Sequence, residues 1–436
     1  MKKQLKTPLA AAVALALMGA AGVAGAKAII QCPGDTGGPF GEKDGIIDAP
    51  DPQHPNAKCT HLVAGEGFIT MADGREQFIF SFTDVTGIPE SKVIEAGALA
   101  ASFSASQIVL EQDQEFYLTL TNAGFHQRPD LFDPHTVHFH GFPNASLVFD
   151  GVPEGSISIN EGASLTYYYK VNQPGTFMYH CHVEATEHMQ MGMLGNLYVH
   201  AAQDNVTVGT NLGGHIHAAG DRYVYNDGDG STRYDVEAPL QLGSFDPVFH
   251  DSSRDTQPLP FAEMKDTYTM LNGRGYPESA DPATDTFRHT TLPDPWVANE
   301  AVYGLNPTKS AVPEYANAPA SFKTSQPETA AIEVASGDTL LLRISNLNVT
   351  NGYTVTALGL PMKVVGNGAE QARGPGGEDI SYETNSVNVY PGEAYDVLVD
   401  TTGIPAGTYF FYTNNLHHLS NGAEDFGGMM TEITIL

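Results

Sequence analysis

The 436-residue chain reads as an all-β protein made of two Greek-key sandwich or barrel units, and three observations predict this. Runs such as Gln77–Phe82, Phe116–Thr121, Ser164–Lys170 and Gly195–His200 are β-rich and bounded by Gly, Pro, Asn or Asp. Long patterns of helical period are nearly absent, which disfavours a βαβ sheet. The chain also repeats itself: Gly175-Thr-Phe-Met-Tyr179 is echoed by Gly407-Thr-Tyr-Phe-Phe411. Each copy follows a strand pattern and a turn and precedes a His-containing loop. The first loop ends in Gly192-Met193 and the second in Gly427-Gly428-Met429. Two copies of one unit, near 66–203 and 232–436, explain this economically.

The segments around these units follow from composition. Lys2, Lys3 and Lys6 precede an apolar run from Pro8 to Val23, and Ala24-Gly25-Ala26 supplies small residues for cleavage, so 1–26 reads as a signal peptide. That run is too short and Ala-rich for a good membrane span, and nothing later approaches about 20 apolar residues. A periplasmic or secreted location is expected, with no membrane partner. The net charge of −30 argues against nucleic acid or an anionic membrane surface. Residues 27–65 form a Gly/Pro/Asp-rich extension in which Cys32 and Cys59 are expected to pair in an oxidising compartment. Residues 204–231 read as a linker. Its Asp227-Gly-Asp229-Gly-Ser231 run hints at calcium, but flanking helices and the closing acidic ligand are missing, so a plain turn is expected.

Chemistry concentrates in two clusters: His135-Thr-Val-His138-Phe-His140-Gly141, and His180-Cys181-His182 followed by His188 and Met193. On a strand, successive side chains point to opposite faces. His138 and His140 therefore share one face with opposite parity to His135, and His180 and His182 share a face opposite to Cys181. Two adjacent strands then offer four imidazoles on one side. On the other they offer a His and a Cys, with His188 and Met193 in the following loop. Two imidazoles, a thiolate and a weak thioether select copper in an electron-transfer site. The four imidazoles suit copper with open positions for a small molecule. Met189 and Met191 read as packing, and His54, His61, His126, His200, His250 and His289 carry no motif.

With these residues the chain resembles the multicopper oxidases, whose ligand motifs are His-x-x-His-x-His-Gly and His-Cys-His followed by His and Met. Thr269–Pro277 and Val389–Val397 are similar to non-ligand signatures of that family. The resemblance implies two cupredoxin-like domains, with type 1 copper at His135, Cys181, His188 and Met193 in the first. It implies His138 as a type 2 ligand and His140, His180 and His182 as type 3 ligands of a catalytic cluster. Two departures stand out. The loop from Cys181 to His188 is two residues longer than is usual in laccases and holds Glu184 and Glu187. The second domain reads Tyr412-Thr413-Asn414 where His-Cys-His stands in the first, and the strand around Asn346–Val355 has no His-x-His. His417 and His418, then His215 and His217, are candidates for the missing ligands, reaching a neighbouring subunit in a ring-like homotrimer such as related proteins form.

The leading expectation is an extracytoplasmic copper oxidase. A reducing small molecule or metal ion gives single electrons to the type 1 copper, and dioxygen is reduced to water at the cluster. Copper nitrite reduction is the alternative; nitrite reductases typically carry Asp at the place of His138 and no His at that of His182. A third reading is a non-enzymatic type 1 electron carrier or copper-storage protein with an incomplete second site.

Overall fold

A computed structural model describes residues 27–142, 145–281 and 317–436. The expected signal peptide and His289 lie outside the described residues.

In the first unit, one sheet runs in the order β2-β1-β4-β6, made of Glu76–Asp84, Ala57–Thr70, Glu115–Asn122 and Ser164–Lys170. The facing sheet runs β3-β8-β7-β5, made of Ala105–Glu111, Leu194–His200, Gly175–His180 and His138–His140. β1 with β4 and β3 with β8 are the parallel pairs, and the other pairs are antiparallel. β6 reads Ser-Leu-Thr-Tyr-Tyr-Tyr-Lys, β-branched and aromatic residues that fit a pleated, half-buried surface. Tyr167 and Tyr169 point inward to join Phe78, Phe80, Phe82, Phe116 and Tyr179 in one core. Each such side chain contributes about 1.5–3 kcal/mol by leaving water.

The second unit repeats this plan and adds further strands at the edges of both sheets. Val236–Phe245 lies parallel to Thr339–Asn346 as β1 lies to β4, and antiparallel to Tyr268–Leu271 as β1 lies to β2. Its other sheet orders Ile332–Val334, Met430–Ile435, Gly407–Thr413 and Tyr353–Ala357 as the first orders β3, β8, β7 and β5. The internal duplication seen in sequence is therefore a duplication of topology, and the fold is all-β as expected.

Two sequence boundaries move. β1 begins at Ala57, so the end of the 27–65 stretch belongs to the first sheet: Lys58 pairs with Phe116 and Leu62 with Leu120. The rest of the extension packs on the outside of that sheet, where Cys32 and Cys59 form a disulfide beside Ile30, Ile47 and Tyr117. The 204–231 stretch is ordered by two short ribbons, Asn211–Leu212 with His215–Ile216 and Arg222–Tyr223 with Arg233–Tyr234. Within it the Asp227 carboxylate accepts from the main-chain N–H groups of Asp229, Gly230 and Thr232, which makes the run a turn.

The units are joined by an apolar seam and a buried ionic network. Ile69, Phe103, Met178 and Leu194 of the first pack with Phe245, Met270, Leu347 and Ala394 of the second. Beside this seam, fully buried Arg343 donates to Glu237 at 2.9 Å and to Thr176 at 3.1 Å, and lies 3.4 Å from Asp396. Thr176 in turn donates to Asp396 at 2.6 Å, which ties β7 to the second unit. His200 bridges Glu111 and Glu237 at 2.9 and 2.8 Å.

Replacing Arg343 with Met would leave buried Asp396 without its cation, while Glu237 keeps His200, and should cost about 3–5 kcal/mol in denaturant titration. The same network sets a pH dependence. Burial raises the Glu237 carboxyl, but bonding to His200 and the charge of Arg343 outweigh it and hold it at about 2. Its folded value is thus below the unfolded one, so its contribution is present above about 4.5 and disappears as pH falls toward about 2. Glu237→Gln should flatten the acid limb of the stability curve over that range.

Candidate metal centre

β5 lies antiparallel to β7 with His138 opposite His180 and His140 opposite Met178. This register sorts the histidines onto two sides. On one, His138, His140 and His180 each bring a ring nitrogen within 4.8 Å of the others. His140 Nε2 lies 3.0 Å from His180 Nε2, and the His182 ring lies 5.0 Å from that of His138. On the other side, His135, Cys181 and His188 converge equally closely. Cys181 Sγ is 3.2 Å from His188 Nδ1 and 3.8 Å from His135 Nδ1.

The second group is sealed from water. His135, Cys181, His188 and Met193 are all fully buried, with Phe80 set edge-on against His188 and Phe125 against His135. The longer loop after Cys181 folds as a short helix, Ala185–Met191, where the sequence predicted only a loop. Gly192 ends it in the left-handed region at φ 114°, and a Cβ there would come within 3.0 Å of the Phe80 carbonyl. The chain can then turn back on itself. Met193 N–H donates to the His188 carbonyl at 2.8 Å and Cys181 N–H to the Met193 carbonyl at 3.0 Å, which holds all three residues together.

The first group is oriented by main-chain carbonyls. His138 Nδ1 bonds the Asp150 carbonyl at 2.6 Å and His180 Nδ1 the Cys181 carbonyl at 2.7 Å. Gly392, from the second unit, sits with its main chain against the Nδ1 edge of the His140 ring. The His138 and His180 rings are each fixed by Nδ1 and offer the other nitrogen, an arrangement typical of metal-binding histidines. Burial, and then the neighbouring His140, holds His180 down at about 3, and His140 is lowered for the same kinds of reason. His135 lies well below its usual value, through burial and then His188. These rings are neutral, the form that binds a metal. Burial would lower His188 too, but the charge of Cys181 and Asp133 overrides it and raises the ring to about 10. A soft N, N, S set in a dry pocket and a separate imidazole set fit copper.

Comparison with known proteins agrees. One family model described as multicopper oxidase matches residues 89–204, and another with the same description matches 251–431, together more than half of the chain. The chain belongs to the multicopper oxidase family. Among solved structures, this family member resembles the multicopper oxidase mgLAC and the blue copper oxidase from Nitrosomonas europaea. Each has a TM-score of 0.55 and 19% identity over 87% of this chain and 86% of the other. A copper nitrite reductase from Nitrosomonas europaea follows, with a TM-score of 0.52 and 13% identity over 87% of this chain and 94% of its own. At these identities the likeness is one of fold, the cupredoxin fold of copper proteins. No functionally curated protein matches the sequence.

The second unit of this copper protein brings no histidine to the matching positions. Thr356 pairs with Tyr412 as His138 pairs with His180, so Thr356 and Leu358 stand for His138 and His140, and Asn414 for His182. The candidate pairs do not join the imidazole cluster within the chain. His215 bonds Asp221 at 2.9 Å and His217 bonds Tyr223 at 3.0 Å. His417 and His418 sit on a single helical turn, Leu416–Leu419, beside Lys265 and Asp266. Among the histidines without a motif, His61 and His250 serve the scaffold: His61 bonds Thr121, and His250 bonds the carbonyls of Phe78 and Gln190.

Sequence reasoning missed the residues that orient these rings. Asp133, whose carboxylate lies 3.7 Å from His188 Nε2, stands two positions before His135, close enough to have been noticed. Gly392 and the Asp150 carbonyl left no comparable signal. Gly392 has φ 86°, and a Cβ would come within 3.4 Å of His140. Gly392→Ala should therefore loosen His140 and lower copper affinity at the imidazole site about 10–100-fold. Copper bound at Cys181 should be unchanged, which copper counts and electron paramagnetic resonance would resolve.

Proposed function

We propose that this protein is an exported copper oxidoreductase that takes single electrons at the His135–Cys181–His188 site and reduces dioxygen to water at the imidazole site. His135, Cys181 and His188 would hold type 1 copper with Met193 as the weak axial ligand. His138 would serve a type 2 copper, and His140, His180 and His182 type 3 copper. Copper supplies the one-electron chemistry at both places. The observation that carries the reading is that all four positions of the first unit facing the imidazole site are histidine, with three rings within 4.8 Å and two of them tied by a main-chain carbonyl.

The chain's own residues account for the coupling. Cys181 is bonded in sequence to His180 and His182, so the thiolate and the imidazole site are joined by a few covalent bonds. The hydrogen bond from His180 Nδ1 to the Cys181 carbonyl adds a shorter branch to that route. A Met at the axial position suits a moderate potential and easily oxidised donors such as phenols, Cu(I), Fe(II) or a redox protein. Asp150 lines the cleft at His138 and His140, with its carboxylate 3.7 Å from His138 Nδ1, and is placed to relay protons from solvent. His138, His140 and His182 remain partly exposed. That open side gives a second copy of the chain access, and a homotrimer outside the cytoplasm fits it.

One observation favours nitrite reduction at a single copper instead: the second unit places Thr356, Leu358, Tyr412 and Asn414 where further cluster histidines would stand. Copper content and turnover of the exported, copper-loaded protein decide between the two. About four coppers per chain with dioxygen uptake supports the oxidase. One or two with nitrite turnover that survives His138→Asp supports nitrite reduction. A single copper with neither activity leaves an electron carrier. The oxidase reading also expects Cys181→Ser to abolish the thiolate-to-copper absorption and dioxygen uptake together.

A further inference from the structure

We infer that the second unit contains an emptied type 1 copper pocket formed by Tyr353, Thr413, His418 and Met429. Strand register and loop hydrogen bonds assign these four to His135, Cys181, His188 and Met193. Thr356 stands opposite Tyr412 as His138 stands opposite His180, which puts Tyr353 at the place of His135 and Thr413 at that of Cys181. Thr413 N–H donates to the Met429 carbonyl at 3.2 Å, as Cys181 N–H does to Met193 at 3.0 Å. Met429 N–H donates to the His418 carbonyl at 2.9 Å, as Met193 N–H does to His188 at 2.8 Å. The Tyr353 and His418 ring centroids are 5.0 Å apart, and so are those of His135 and His188.

The pocket keeps the form of the site without its anchor. Tyr353, Thr413 and Met429 are buried, and His418 Nδ1 is buried without a hydrogen-bond partner. In His188 that same nitrogen faces the Cys181 sulfur. The imidazole and the thioether survive, but a threonine hydroxyl stands where the soft, readily deprotonated thiol is needed, so the set has lost its selectivity for copper. His418 is thus the counterpart of a type 1 ligand and not a displaced cluster ligand. One centre per chain, the one at Cys181, takes electrons in. This holds whichever acceptor the imidazole site reduces.

The test rebuilds the pocket in the full chain. Cys181→Ser removes the first centre, and Tyr353→His with Thr413→Cys restores the ligand set beside His418 and Met429. Loaded with Cu(II), this variant should regain an intense thiolate-to-copper absorption and a narrow copper hyperfine splitting, within about two-fold of the wild-type intensity. Adding His418→Ala should abolish both. With Tyr412 and Asn414 in place of His180 and His182, the rebuilt copper should accept electrons from a reductant but pass none to dioxygen or nitrite. A variant with wild-type circular dichroism and a reactive thiol, yet no thiolate-to-copper band, overturns the inference. If the triple variant fails to fold, Cys181→Ser with Thr413→Cys alone, a nearly isosteric change, is judged by the same band.

Discussion

The pairing of β5 with β7 is the constraint on which both candidate copper sites depend. Because side chains alternate across a strand, placing His138 opposite His180 decides at once which residues face the imidazole cleft and which face the buried thiol. A slip of one residue would send Cys181 into the cleft and a histidine into the dry pocket. The register is held from both sides by structure that carries no metal ligand. Phe139 and Tyr179 are buried in the first core, and β7 is fixed on β8 along its length. The two sites are therefore one structural decision, and their closeness in sequence follows from it.

The duplicated architecture makes the losses in the second unit interpretable. Its sheets reproduce the strand order and the parallel and antiparallel pairings of the first, so each missing ligand has a defined address. The four positions facing the cluster have become Thr, Leu, Tyr and Asn, a change in every member. The pocket behind them has changed only at Tyr353 and Thr413 and keeps its loop hydrogen bonds. These bonds join backbone groups, so they persist when side chains change. That explains how the shape of a site can outlast its chemistry.

Much of this was legible in sequence because it rests on short-range rules. Strand alternation separated His138 and His140 from His135, and the Gly-Thr-aromatic repeat exposed the duplication. Composition placed the disulfide and the Asp227 turn. What was not legible depends on contacts between distant segments. The helix at Ala185–Met191 is too short to show a period, and it exists because Gly192 can close it at a positive φ. The role of Gly392 comes from a stretch of main chain in the second unit meeting a ring in the first. The position of His418 beside Tyr353 and Met429 was not legible either, because it depends on a loop hydrogen bond and a ring contact between distant segments.

That contact at Gly392 also explains why the second unit is retained although it contributes no histidine to the matching positions. The imidazole cleft is walled on one side by Gly368, Gly392 and Ala394, so the second unit shapes the site it no longer ligates. A free histidine ring would divide its time between two tautomers and many orientations, and only one combination directs Nε2 of His140 toward His180. The main chain at Gly392 packs against the ring and narrows its orientations, and it needs no particular side chain, only the absence of one. Thr176, at the lip of the cleft, is held instead by the side chains of Asp396 and Arg343 of the second unit. The second unit thus acts on the cleft through its backbone and its buried charges, and the first unit through its imidazoles.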